Sequence, residues 1–221
     1  MELNRVRDAI DRVAIRTVLV SAADKSGLRE SIDALAQVFD GLTVYATGGT
    51  LAALAADPQH FALRSVSELT GQPELQGGLV KTIDYKIALG LLAESDNPAH
   101  QADLARTGTP EIDLVMCNLY PFQAVQRRAD SDLEDLRAHI DIGGVTLLRA
   151  AAKNFLRVTV LTDPGQYASF LQQVRDGSGT LTLKQRFDYA KAALTSIAQY
   201  DAAIDAALHS ASLSAYSVRR S

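Results

Sequence analysis

Between Ile140 and Asn154 the chain reads IDIGGVTLLRAAAKN, an acid, a Gly-Gly turn, an apolar helical pattern and a lysine in one stretch. Val145, Leu147, Leu148 and Ala151 have the spacing of a helix packed on one face. Asp141 stands just before Gly143 and Gly144. Lys153 follows a triple alanine, where nothing calls for a solvated charge. An ammonium held beside a carboxylate has its proton affinity set by that neighbour, and such a pair can do acid–base work. The plainer reading is a helix C-terminus whose dipole Lys153 complements.

A second candidate is Thr47-Gly48-Gly49-Thr50, between a strand pattern and a helix pattern. Two glycines let backbone N–H groups close on an anion, the hydroxyls add donors, and a helix N-terminus adds its dipole. Lys25, in the preceding loop Asp24-Lys25-Ser26-Gly27, would supply a point charge for the same anion. The competing reading is a tight strand–helix turn with Thr50 as N-cap. Neither a Walker A loop nor a GxGxxG fingerprint is present, so triphosphate and dinucleotide binding are not indicated. Lys81 and Thr82 end the glycine-rich run Gly77-Gly78-Leu79-Val80, where the lysine is either an oxyanion stabiliser or an ordinary surface charge. Asn118-Leu119-Tyr120-Pro121 brings polar groups to the end of an apolar strand pattern; a ring packed on Pro121 is the alternative for Tyr120. His60, His100, His139 and His209 lack metal-ligand spacing, so no metal is expected. No GxSxG elbow supports serine hydrolysis.

These segments need elements to carry them. Strands are expected at Thr17–Ser21, Leu42–Ala46, Arg64–Val66, Asp113–Asn118 and Arg157–Leu161. Helices are expected at Asn4–Arg16 (short and amphipathic), Leu28–Phe39, Leu51–Ala56, Ile83–Ala93, Leu133–His139, Val145–Ala152 and Gln166–Arg175. Asp57-Pro58 would end the third of these, and Asp96-Asn97-Pro98 begins a new segment. Leu183–Leu208 reads as one long alanine-rich helix or a helical pair, and Ser210–Ser221 as a frayed tail. Alternating strands and helices predict an α/β fold with a parallel sheet covered on both faces. Ligands in such sheets bind at the carboxyl ends of the strands, where four of the polar loops arrive.

Composition limits the rest. A chain of 221 residues suits one domain, here residues 1–221 with an α/β core over 16–160, a helical part over 163–208 and a tail over 209–221. A net charge of −4 makes nucleic acid a poor partner. Cys117 is the single cysteine, which excludes an intrachain disulfide and a thiolate zinc cluster. No apolar run approaches the ~18 residues of a membrane span. The charged N-terminus lacks a secretory apolar region, so a cytoplasmic protein without a membrane partner is expected.

VSAADKSGL (20–28), ATGGT (46–50), SVSELTGQPELQGGLVKT (65–82), CNLYPF (117–122), IDIGGVTLLRAAAKN (140–154) and QYDAAI (199–204) occur in this order. Together they resemble the inosine monophosphate cyclohydrolase domain, the N-terminal half of a bifunctional purine biosynthesis protein that also carries a transformylase. The resemblance covers roughly residues 16–208. It implies a methylglyoxal-synthase-like α/β fold with a C-terminal helical segment, and closure of a formamido-imidazole-carboxamide ribonucleotide to inosine monophosphate without cofactor or metal. Ser21, Lys25, Thr47, Gly48, Gly49 and Thr50 would hold the 5′-phosphate. Thr82, Asn118 and Gly143 would surround the base with the catalytic set Lys81, Tyr120, Asp141 and Lys153. A homodimer is expected, with a separate transformylase supplying the formylated substrate.

The match is incomplete. The family usually reads GRVKTLHPKIHGG where this chain has GLVKTIDYKIALG. Leu79 thus stands for an arginine, Asp84 and Tyr85 for His-Pro, and Ala88 for a second histidine. Ala23 replaces a phosphate-loop serine, and Phe155 a histidine. Loss of the arginine removes a planar multi-donor cation beside Lys81 and leaves substrate identity open. A weakly catalytic nucleotide-phosphate-binding module is the alternative function. Methylglyoxal synthesis is disfavoured, because its catalytic loops are not recognisable.

Overall fold

The computed structural model describes residues 5–55, 60–73, 80–213 and 216–217. Its centre is a five-stranded parallel sheet. Strand β2 (Thr17–Ala22) is the middle strand, flanked by β3 (Thr43–Ala46) and β5 (Leu114–Asn118), with β4 (Ala62–Ser65) and β6 (Thr159–Leu161) at the edges. Val18, Leu19 and Val20 are wholly buried, as are Leu114, Val115 and Met116. Burial on both faces explains why TVLVSA and LVMCN run apolar without alternation.

Helices cover the two faces. On one, α1 (Leu28–Ala36) packs against α9 (Tyr167–Asp176). On the other, α8 (Gly143–Lys153) lies against β5 and β6. It is covered there by α4 (Tyr85–Leu92) and the 28-residue α10 (Leu183–Ser210). The chain leaves β2 toward β3 and β4, and later builds β5 and β6 on the opposite side of β2. Between β2 and β5, therefore, the direction of strand addition reverses. Such a reversal marks the place where α/β sheets bind ligands, in the crevice at the strands' carboxyl ends.

The expected strands all form, each shifted by no more than two residues. Helix α2 (Gly48–Leu54) starts earlier than expected, so both glycines lie in its first turn rather than in a loop. Thr47 is its N-cap, not Thr50. Helix α3 (Val66–Thr70) was not foreseen; Ser65 and Glu68 close a capping box around its first turn. The unassigned stretch after Asn97 is α5 (Pro98–Thr107). The Asn97 side chain caps it, Pro98 opens it and Gly108, at φ +64°, closes it. Short α6 (Phe122–Gln126) and α7 (Leu133–Ala138) follow β5.

One expected helix is absent. Residues 5–16, the described part of the segment Asn4–Arg16, form no helix, and β1 (Val13–Ala14) pairs antiparallel with β7 (Thr180–Leu181). Helical periodicity loses here to tertiary hydrogen bonds. The guanidinium of Arg186, fully buried in the first turn of α10, donates to Ile10 O, Asp11 O, Leu181 O, Phe155 O and Leu156 O at 2.6–3.1 Å. The carbonyls of Ile10 and Asp11 are thereby committed to α10. A second buried network sits at the amino ends of the strands. Asp113 accepts from the backbone N–H groups of Arg16 and Thr17 and from Arg157 Nη1, which also donates to Ile112 O, while Arg157 Nη2 donates to Gly90 O. Burial raises the Asp113 carboxyl above its usual value, opposed by those three donors.

Candidate active site

The carboxyl edge of β3, β2 and β5 gathers most of the expected site. The loop after β2 is built first. Asp24 accepts from Ser26 N–H at 2.9 Å and Ser26 O–H at 2.6 Å, which holds its carboxyl below the usual range. Gly27, at φ +65°, then turns the chain into α1. Across the crevice, Asn118 clamps this loop with both ends of its amide. Its Oδ1 accepts from Asp24 N–H at 2.7 Å and its Nδ2 donates to Asp24 O at 2.8 Å. Asn118 is thus first a brace between the β5 end and the Lys25 loop. Lys25 itself is exposed, and its ammonium rests on Ala23 O at 3.3 Å.

Helix α2 is attached beside it. Thr47 N–H donates to Val20 O at 3.2 Å, and Thr47 Oγ1 donates to Ser21 Oγ at 3.4 Å instead of capping the helix. The hydroxyl of Thr50, almost fully buried, bridges Ala22 N–H and Ala22 O at 3.2 and 3.4 Å. Gly48 and Gly49 remain exposed. Gly49 has no positive φ, and a Cβ placed on it would meet nothing within 4 Å. Nothing in the chain itself requires glycine there; close approach of a ligand to the backbone would.

On the other side of the crevice, α8 begins. The Asp141 Oδ1 accepts from Gly144 N–H at 2.7 Å, satisfying one of the orphan donors of the helix. A Cβ on Gly143 would lie 2.6 Å from Thr82 Oγ1. One on Gly144 would lie 2.7 Å from both Asp141 Oδ2 and Leu119 Cδ2. The Gly-Gly pair is therefore what lets Asp141, buried Thr82 and Leu119 meet at one point; Lys81, the residue before Thr82, lines a hollow with Ser67, Thr70 and Gln72. The Cys117 thiol, buried beneath, is pushed far up by desolvation and by the nearby Asp141 charge. Tyr120 is half-exposed at this rim.

Lys153 is not here. It closes α8, and an 11-residue helix places its two ends roughly 15 Å apart. The next residue, Asn154, donates to Leu91 O and Ala93 O at the amino side of the sheet. The Asp141–Lys153 pair expected from the spacing is not formed within the chain. Lys153 is exposed rather than buried and sits in the last helical turn, where it complements the dipole. Two departures from the family pattern have structural causes. Asp84 caps α4 by accepting from Lys86 N–H at 2.7 Å. Phe155 packs its ring on Phe187 of α10 at 4.9 Å. Leu79, with Gly77 and Gly78, lies outside the described residues.

One residue at this edge had no role in the expected set. Tyr200 of α10 reaches the Asp141 segment: its hydroxyl accepts from Asp141 N–H at 2.8 Å and donates to His139 O at 3.2 Å. Its motif, QYDAAI, was visible in the sequence, but nothing local to it told where the ring would point. Among the described residues, no group of three or more His, Cys, Asp or Glu side chains could hold a metal ion. None of the described helices is long and apolar enough to cross a membrane.

A five-stranded parallel sheet with a switch point at its middle strand and helices on both faces is the architecture of an MGS-like domain. The family model of that description matches residues 27–146, and the chain belongs to that family. A second model, described as the AICARFT/IMPCHase bienzyme, matches residues 151–220. The bifunctional purine biosynthesis protein PurH of Xanthomonas campestris pv. campestris is 42% identical over 210 residues, covering 95% of this chain and 39% of the relative. The PurH of Acidithiobacillus ferrooxidans is 44% identical over 190 residues, 86% of this chain and 36% of the relative. The similarity is to the inosine monophosphate cyclohydrolase region of these proteins, and the chain spans only that fraction of their length. A solved structure titled "Crystal structure of ForH" superposes with a TM-score of 0.72 at 30% identity, over 89% of this chain and all of that one.

Proposed function

We propose that this chain closes a formamido-imidazole-carboxamide ribonucleotide to inosine monophosphate. The observation that carries the reading is the placement at one sheet edge, the carboxyl ends of β3, β2 and β5, of an exposed glycine-rich helix turn with Lys25 and of the Asp141–Gly143–Thr82 corner. The first suits a phosphate monoester, and the second suits a polar heterocycle. Ser21, Lys25, Thr47 and the backbone of Gly48, Gly49 and Thr50 bind the phosphate. Thr82, Asn118 and Gly143 flank the base.

In the reaction the carboxamide nitrogen attacks the formyl carbon and forms the new C–N bond. Asp141 takes the proton released from nitrogen, while Lys81 and Tyr120 stabilise the charge gathering on the formyl oxygen. That oxygen, protonated, leaves as water and the ring aromatises. Both reacting groups belong to one molecule, so holding them in register supplies much of the acceleration. Within one chain Lys153 lies at the opposite end of α8 from Asp141, so this arrangement lends its expected catalytic role no support. The relatives' pairing with a transformylase supports a formyl-transfer step as the source of the substrate.

Purified protein mixed with the formamido substrate should produce a new purine absorbance, with Asp141→Asn slower by about 100-fold or more. Calorimetric binding of inosine monophosphate with no ring closure at high protein concentration would overturn the catalytic reading in favour of a nucleotide-binding module.

A further inference from the structure

We infer that Tyr200 is the positioning residue for Asp141, a claim whose catalytic part rests on the ring-closing reading above. The segment 139–141 has little regular structure of its own, as α7 has ended and α8 has not begun. Two bonds fix it. The carboxylate of Asp141 is held from ahead by Gly144 N–H, and its backbone is held from the side by Tyr200. The phenol uses both of its capacities, accepting from Asp141 N–H and donating to His139 O, so it spans the segment like a rivet.

The ring is itself immobilised. It stands edge-on to Phe122, with centroids 6.2 Å apart and planes at 71°, and Phe122 is almost wholly buried in the helix that follows Tyr120-Pro121. Tyr200 therefore ties three parts of the rim together: α10, the turn after β5 and the Asp141 segment. Desolvation raises the phenol above its usual value, opposed by the Asp141 N–H bond and aided by the charges of Asp141 and Asp201, so at neutral pH it keeps the proton it donates to His139 O.

Tyr200→Phe keeps the ring and its contact with Phe122 and removes only the oxygen. In ring closure, kcat should fall on the order of 10- to 100-fold, the scale of a misplaced reacting group, while KM stays within about twofold because the phosphate half of the site is untouched. The decisive readout is coupling. Tyr200→Phe introduced into Asp141→Asn should cost under about threefold more, since a residue that acts through Asp141 has nothing left to position. Multiplicative losses in the double variant would overturn the proposal, because they mean an independent, general effect on the fold. If the wild-type protein closes no ring, the ring-closing reading fails on its own, and Tyr200 is still judged on the protein alone. Amide exchange at Asp141 should then be faster in Tyr200→Phe with global exchange in the sheet unchanged. Equal Asp141 protection in both proteins refutes the assignment.

Discussion

At the scale of single residues, the clearest distinction is between glycines that the protein needs and a glycine that only a ligand would need. Gly27 turns the chain at positive φ, and Gly144 makes room for Asp141 and Leu119. Gly49 does neither. Gly49→Ala should thus raise the unfolding free energy slightly, by about 0.5–1 kcal/mol, because alanine is the better helix residue. The same methyl would project into the space assigned to the phosphate and weaken inosine monophosphate binding by about tenfold or more. Thermal melting and calorimetry on one sample check both signs. A variant that melts higher and binds as before would remove the anion from this turn. Lys153 makes the complementary point. In one dimension it looked like the acid's partner, yet α8 separates the two by its own length, and the lysine serves the helix end instead.

Among the elements, α8 does most to shape the site. Its apolar face, with Leu147, Leu148, Ala151 and Ala152 buried, fixes its roll against β5 and β6. Its first turn then has to fit under Thr82 and beside Leu119, which only residues without a Cβ allow. Gly144→Ala should lower stability by about 1–3 kcal/mol, the usual cost of overpacking, despite the gain in helix propensity. It should also displace the Asp141 carboxylate and cut turnover. Chemical denaturation and steady-state rates measure the two effects. A stable, fully active variant would mean the corner is looser than its contacts imply.

Across the whole molecule, the N-terminal segment and α10 form a clasp around the sheet. The clasp depends on Arg186, a buried cation whose donors reach five carbonyls and no carboxylate. Burial lowers its proton affinity, a sign of what it costs to place the charge there. Replacing it by methionine leaves those carbonyls without partners and should destabilise the fold by more than about 3 kcal/mol. Urea unfolding followed by circular dichroism tests this; a loss under about 1 kcal/mol would mean water replaces the guanidinium without penalty. Because α10 also carries Tyr200, its seating by Arg186 is coupled to the Asp141 segment about four helical turns away.

Much of this molecule could be read in one dimension. The strands announced themselves because a parallel sheet buried on both faces demands continuous apolar runs such as TVLVSA and LVMCN. Their polar successors at Asp24, Thr47 and Asn118 were recognisable because carboxyl-end loops are where such sheets bind ligands. Local chemistry also marked two boundaries: Gly27 closes the expected Asp24–Gly27 loop at positive φ, and the new segment expected at Asp96-Asn97-Pro98 begins with a helix. Residues 5–16 show the limit of that method. Their pattern was helical, but their carbonyls found a better partner 170 or more residues away in Arg186. The same limit separated Lys153 from Asp141 and concealed Tyr200, 59 residues from the amide it accepts from. Periodicity records which face of an element is buried. It carries no information about which distant group arrives to meet it, and that meeting is set by packing alone.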